Sequence, residues 1–198
     1  MQAMTTLRRT ILLAFSILFL PAALHAQVTL SILPESQITV DGTSNKSDWT
    51  VTAQAFEGSI TVNDGYADGP EVSAVALNVT AKEMKSGRST IMDRLMWKTL
   101  NATQHANITY ALTAAEVVAQ TDEGYTLNTM GELTLSGETK EIQMEVIGSM
   151  GDDGQMHFVG QYPLLLTDYG MTPPTAMFGA LRTGDEVIVK FDLVAAQQ

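Results

Sequence analysis

The chain has no cysteine. Disulfide staples, thiolate metal sites and thiol catalysis are therefore excluded, and the fold must stand on noncovalent packing. Histidine is scarce too: His25, His105 and His157 are the full complement. None has a second histidine at metal-ligand spacing, so no catalytic or metal role is expected for them and no cofactor is implied. There is no G-x-S-x-G elbow, no P-loop and no G-x-G-x-x-G. Positive charge is also short. Eleven Lys and Arg stand against 22 Asp and Glu, a net charge of −11. An acidic surface repels phosphate backbones, which excludes nucleic acid as a natural partner, and it disfavours docking on anionic lipid headgroups. Its simplest use is solubility.

What is present begins with the one long apolar run. Arg8 and Arg9 precede residues 11–20, which carry no charge, and Pro21 and the small-residue stretch Ala22-Ala23-Leu24-His25-Ala26 follow. This is the layout of a cleavable secretory signal over residues 1–26, with a single domain over 27–198. The run is shorter than the roughly 20 residues that a helical span needs. No later stretch is longer, so no stable membrane span is expected after cleavage. No cysteine follows the run to take a lipid anchor. Removing the signal takes two arginines and no acid, leaving nine Lys and Arg against 22 Asp and Glu, a charge of −13. The expected location is periplasmic or secreted.

The remaining chain alternates apolar and polar residues in short segments divided by turn residues, the all-β pattern. Segments at 36–43, 48–62, 72–81, 106–119, 124–136, 141–150, 156–166 and 185–194 alternate in this way. Gly58 is the expected bend or bulge within the second. About eight strands suffice to close an antiparallel barrel. Residues 91–100 depart from the pattern: Met92, Leu95, Met96 and Leu100 recur at helical spacing. Thr90 and Asp93 read as a capping box. Such a helix either lids one end of a barrel or covers a core face. Asp152-Asp153, between Gly151 and Gly154, reads as a solvated hairpin tip, with too few spaced oxygens to hold calcium.

Methionine is abundant. Met84, Met92 and Met96 cluster at the helix, and Met130, Met144, Met156, Met171 and Met177 are spread beyond it. Flexible, polarizable side chains fill ordinary cores, and they also suit a cavity that accepts a flexible apolar ligand.

Several segments, in order, resemble one known family. They are Ile38-Thr39-Val40-Asp41-Gly42-Thr43 running to Trp49; Lys85-Ser86-Gly87 before Met92-Asp93; Leu100-Asn101-Ala102 before Ile108-Thr109-Tyr110; Gly131-Glu132-Leu133-Thr134-Leu135-Ser136-Gly137-Glu138-Thr139-Lys140; Thr167-Asp168-Tyr169-Gly170-Met171 with Pro173-Pro174; and Gly184-Asp185-Glu186-Val187-Ile188-Val189-Lys190-Phe191. Together they resemble YceI-like domains over about residues 36–195. The resemblance implies a lipocalin-like antiparallel barrel with an apolar interior that takes long isoprenoid or other lipid ligands in the periplasm. Many members have a histidine near the second strand where this chain reads Ser44-Asn45-Lys46-Ser47-Asp48-Trp49. This departure resembles a Trp-containing subgroup.

The expectation is thus an all-β protein with one short helix, a single eight-stranded antiparallel lipocalin-like barrel. Its leading function is non-catalytic binding of an apolar chain such as a polyisoprenoid or quinone. Lumen candidates are Trp49, Phe56, Met92, Met96, Leu100, Tyr110, Tyr125, Leu127, Phe158 and Tyr162, with Tyr169 and Met171 at the mouth. Strand phase alone leaves inside and outside open. The alternative is a solidly packed barrel that binds a partner protein on its outer face. An enzyme would need polar groups converging around His105 or His157.

Overall fold

A computed structural model describes residues 27–63, 71–122 and 124–197. The export signal expected over 1–26 lies outside the described residues. Twelve strands follow the alternation: β1 (Gln27–Ile32), β2 (Gln37–Ser44), β3 (Trp49–Ala53), β4 (Phe56–Asn63), β5 (Val72–Thr80), β6 (Met84–Lys85), β7 (Asn107–Thr121), β8 (Gly124–Leu135), β9 (Glu138–Met150), β10 (Met156–Leu165), β11 (Thr175–Ala176) and β12 (Leu181–Ala196). A helix, α1 (Thr90–Thr99), stands between β6 and β7.

Several of these strands are halves of one bent stave. β1 pairs with β4 while β2 pairs with β3, so β1–β2 and β3–β4 form one long hairpin, bent in both arms. β5 and β6 continue it, on β4 and β3 respectively. From β5 through β7, β8, β9, β10 and β12 each stave is antiparallel to its neighbour. β12 then returns to β1 and β2, closing eight staves into an up-and-down barrel. Closure leaves no open edge along the wall.

The bends account for two departures from the sequence expectation. Residues 48–62 are two strands, divided at Gln54 and Ala55 and not at Gly58. The inward side chains are odd-numbered before the bend, with Val51 and Ala53 buried, and even-numbered after it, with Ile60 and Val62 buried. Gly58 stays inside β4, where a Cβ would stand 2.5 Å from the Ala76 carbonyl oxygen. β1 is a strand that the segment starting at residue 36 omits; Pro34 and the following turn separate its six residues from β2.

At this second bend the ladder to β12 loses its regular partner. Ser36, buried at 6% exposure, repairs it: its Oγ accepts from Val194 N at 2.9 Å and donates to Val194 O at 3.1 Å. The neighbouring Leu33 N donates to the same carbonyl at 2.8 Å.

The two-residue turn between β8 and β9 has Ser136 and Gly137 at φ +53° and +88°, as a type I′ hairpin requires. The helix forms where the spacing places it, but its cap differs. Ser89, not Thr90, is the N-cap and accepts from Ile91 N at 3.2 Å. Asp93 turns inward instead and accepts from Ser86 N at 2.8 Å and Ser86 Oγ at 2.7 Å. These bonds hold its carboxyl below the usual carboxylate range, against the opposing effect of burial.

Ser36→Ala should strand a buried donor at the seam. The expected cost is about 1–3 kcal/mol, read as a lower midpoint in urea denaturation with an unchanged slope. An unchanged midpoint would show that the seam does not depend on this hydroxyl.

Candidate functional site

Inward side chains of all eight staves enclose a cavity of about 390 Å³. The volume lies within the roughly 300–1,000 Å³ of sites for small apolar ligands. One end is packed shut. Leu30, Val62, Met156 and Ala195 are at most 1% exposed, and none of them reaches the cavity wall. The other end carries a group of the wall's polar residues, Ser44 and Ser47 of the β2–β3 turn, Ser86 and Arg88 ahead of α1, and Thr183 at the start of β12, while Thr109 and Thr129 stand among the apolar residues of β7 and β8. Helix α1 roofs part of this end, turning Met92, Leu95, Met96, Thr99 and Leu100 to the lumen. Trp97 holds the roof down. Its Nε1 donates to the Met84 carbonyl at 3.0 Å, and Lys85 Nζ stacks 4.3 Å from the ring centroid.

Three aromatic rings face inward without crossing the lumen, because each lies over a glycine of the adjacent stave. Trp49 covers Gly42, Tyr110 covers Gly131 and Phe191 covers Gly160; a Cβ on these glycines would stand 2.1, 2.4 and 2.5 Å from the covering side chain. Trp49 and Gly42 are direct register partners, as are Phe191 and Gly160. Trp49 is further fixed by donating from Nε1 to the Thr43 carbonyl at 3.0 Å. The Tyr110 hydroxyl is buried over Gly131 near the Thr129 side chain, and burial pushes its pKa up, with Thr129 opposing.

Of the residues selected from sequence, Trp49, Met92, Met96, Leu100, Tyr110, Leu127, Phe158 and Tyr162 stand in the cavity wall. Phe56, Tyr125, Tyr169 and Met171 do not. Phe56 follows the 54–55 bend and packs on the outskirts of the main core. Tyr125 is buried on the same face of β8 as Leu127, toward the closed end. Tyr169 and Met171 are consumed in a second core cluster with Leu135, Leu164, Leu166 and Val187. Val40, Leu112, Met144, Val189 and Phe191 also line the wall. Their signal was strand phase: Leu112 follows Tyr110 by two, and Val189 precedes Phe191 by two. His105 is half-buried beside Gly137, and His157 is half-buried in β10; neither lines the cavity. Among the described residues, no three His, Asp or Glu converge to hold a metal ion.

Gly160→Ala and Gly42→Ala should each push a ring off the wall into the lumen. We expect losses of about 1–3 kcal/mol in stability and a smaller uptake of a fluorescent apolar probe. Full uptake in both variants would show that the rings have other places to go. Tyr169 gives a separate alkaline signature. Burial first, then Tyr162 and Asp168, push its phenol from 10.0 up to about 12. The folded state therefore keeps a proton that the unfolded chain releases, so stability should fall between about pH 10 and about pH 12. Tyr169→Phe should flatten that part of the denaturation profile, and an unaltered slope would refute the assignment.

The barrel has counterparts among solved structures. BcnA of Burkholderia cenocepacia superposes with a TM-score of 0.65 at 15% identity, covering 81% of this chain and 96% of that one. A polyisoprenoid binding domain from Saccharophagus degradans, implicated in plant cell wall breakdown, gives 0.65 at 14% identity, covering 87% and 100%. A Campylobacter jejuni YceI protein gives 0.59 at 13% identity, covering 79% and 85%. At these identities the likeness is one of fold. No curated protein matches the sequence. The YceI-like domain model matches residues 25–195, almost the whole described barrel, and the chain belongs to that family.

Proposed function

We propose that the protein is an exported, non-catalytic carrier that holds an apolar chain, such as a polyisoprenoid, a quinone or a related lipid, inside the barrel. The observation that carries this reading is the lumen itself: apolar along its length, shut at one end and open at the other. A filled barrel working only through its outer face would have no such space. Affinity would come from removing methylenes from water, at about 0.8 kcal/mol each. The roofing methionines Met92 and Met96 would adapt to an irregular chain. The polyisoprenoid-binding relative supports the ligand class, and the secretory layout of residues 1–26 supports a periplasmic or secreted location for the 27–198 domain.

The test is to purify the protein from its own source, extract it with organic solvent and identify the lipid by mass spectrometry. Val189→Trp, placed in the wall of the lumen, should leave the β-sheet circular dichroism intact. By displacing two or more methylenes it should weaken prenyl-chain uptake by about tenfold or more. Absence of co-purified lipid together with no uptake of prenyl chains by the wild type would sink the proposal.

A further inference from the structure

One sector of the open end, the segment that carries α1, differs from the rest of the surface in charge, and the rim as a whole differs in hydrophobicity. After residue 26 the chain has nine Lys and Arg, and five of them, Lys82, Lys85, Arg88, Arg94 and Lys98, fall in the short segment that carries α1. Two acids share the segment, Glu83 at 3.8 Å from Lys85 and Asp93 held inward on Ser86, so it carries a net charge of +3. Lys46 and Arg182 add two more cations on the loops beside the mouth. At the closed end, the connections 33–36 and 151–155 and residues Glu71 and Asp122 hold acids and no Lys or Arg, and the other turns of the open end mix Asp48, Glu138, Asp168, Asp185 and Glu186 with Lys46, Lys140 and Arg182, so the basic character belongs to the α1 sector.

The same rim exposes large apolar side chains. Ile91 is 74% exposed, Met177 is 72% exposed and Phe178 is fully exposed. Met92, partly exposed, reaches from this rim into the cavity wall. On α1, Ile91, Arg94 and Lys98 lie three and four residues apart and share one outward face, where all three are exposed. Across the mouth, Met177 and Phe178 have φ of +52° and +55°, the left-handed region that L-residues disfavour. Their loop is nevertheless tied down. Asn45 Nδ2 donates to the Ala180 carbonyl at 2.9 Å, Asn45 Oδ1 accepts from Arg182 N at 3.0 Å, and Arg182 Nε donates to the Gly179 carbonyl at 3.2 Å. A fixed loop that holds a phenylalanine in water, in a disfavoured conformation, is organised for an apolar environment that water does not supply.

We propose that the open end of the barrel is a docking face for a lipid bilayer with anionic headgroups. Ile91, Met92, Met177 and Phe178 enter the acyl boundary while the cations of the α1 segment and Arg182 meet phosphates. Two weak signals, basic and apolar, combine as they do in reversibly bound peripheral proteins. Docked in this way, the mouth faces the hydrocarbon from which an apolar chain would be drawn. That last step rests on the carrier reading above; the docking itself does not.

The test uses the whole secreted domain and sedimentation with two kinds of vesicle, equal parts phosphatidylethanolamine and phosphatidylglycerol, or phosphatidylcholine alone. Binding is expected to the first, to weaken with added salt, and to be much weaker to the second. The double variant Arg94→Glu, Lys98→Glu should bind about tenfold or more weakly. Phe178→Gly relieves the left-handed strain, so it should raise the melting temperature while lowering vesicle binding. A merely structural loop would not give that opposed pair of changes. None of these three residues lines the cavity, so uptake of a short prenyl probe in vesicle-free solution should be unchanged in both variants. Probe uptake without vesicle binding by the wild type would overturn the docking proposal and leave the carrier reading intact. Vesicle binding without probe uptake would uphold docking and overturn the carrier reading. Equal binding to both vesicle types, unaffected by the charge reversals, would overturn the anionic part and point away from headgroup recognition. Capture of an acidic protein without vesicle binding would likewise overturn it.

Discussion

The lumen depends on where three aromatic rings are allowed to lie. An eight-stranded barrel is only just wide enough for its own inward side chains to fill it. Trp49, Tyr110 and Phe191 all point inward, and any one of them, extended across the barrel, would occupy much of the space. Each instead occupies the place of a side chain that its neighbouring glycine does not have. The cavity is therefore made by pairing the largest residues with the smallest across adjacent staves. Two of these pairs are direct register partners, so the cavity also depends on register. A slip of one residue between β10 and β12 would set Phe191 against a side chain and turn alternate residues to the other face. The order of the sheet and the openness of its interior thus have the same cause.

Register in turn is held by closure. β12, sixteen residues long, serves two partners on one side, β2 along most of its length and β1 at its end. The bend between those partners would leave Val194 without its regular ladder bonds, and Ser36 supplies them. Closure at this seam fixes the position of β12 against β10, and hence of Phe191 over Gly160. A polar side chain buried near the closed end, Ser36, therefore contributes to the shape of an apolar space in the middle. The roof is fixed at a different place, through Trp97 and Asp93, which attach α1 to the end of the β5–β6 stave at residues 84–86 and not to the β12 seam.

Much of this was legible in the residues because the period of two is a strong signal. Ile108, Tyr110 and Leu112 share a phase, and all three line the lumen. The helix was legible from 92, 95, 96 and 100, since a spacing of three and four has no place in a strand. Illegible features were those decided by contact between distant segments. Nothing local separates the inward Tyr110 from the buried but differently placed Tyr169, because the latter is absorbed by packing against Leu135, Leu164 and Val187. The break at 54–55 was hidden because Ala53 and Ala55 continue the alternation on paper while the chain turns and exchanges its phase. Gly42, Gly131 and Gly160 read as ordinary strand glycines until the ring that covers each is known. The cap at Ser89 was displaced from Thr90 because Asp93 found a better partner in Ser86.

Net charge misleads for a related reason. A value of −13 for the domain argues against an anionic surface only if that surface senses the whole molecule. It does not: at physiological ionic strength the Debye length is about 8 Å. A stave of sixteen residues rising about 3.3 Å per residue runs about 50 Å, or about 40 Å along the axis at the usual barrel tilt. The acids at the closed end therefore lie several screening lengths from the mouth. A surface approaching the α1 sector of the open end senses mainly the cations of that segment, while Asp48, Glu138, Asp168, Asp185 and Glu186 lie on the turns around the rest of the rim. The composition that favours solubility and the local composition of the rim are separate quantities. The barrel makes them separate by gathering five of the nine cations on the helix segment, one sector of the open rim, while acids occupy the turns at both ends.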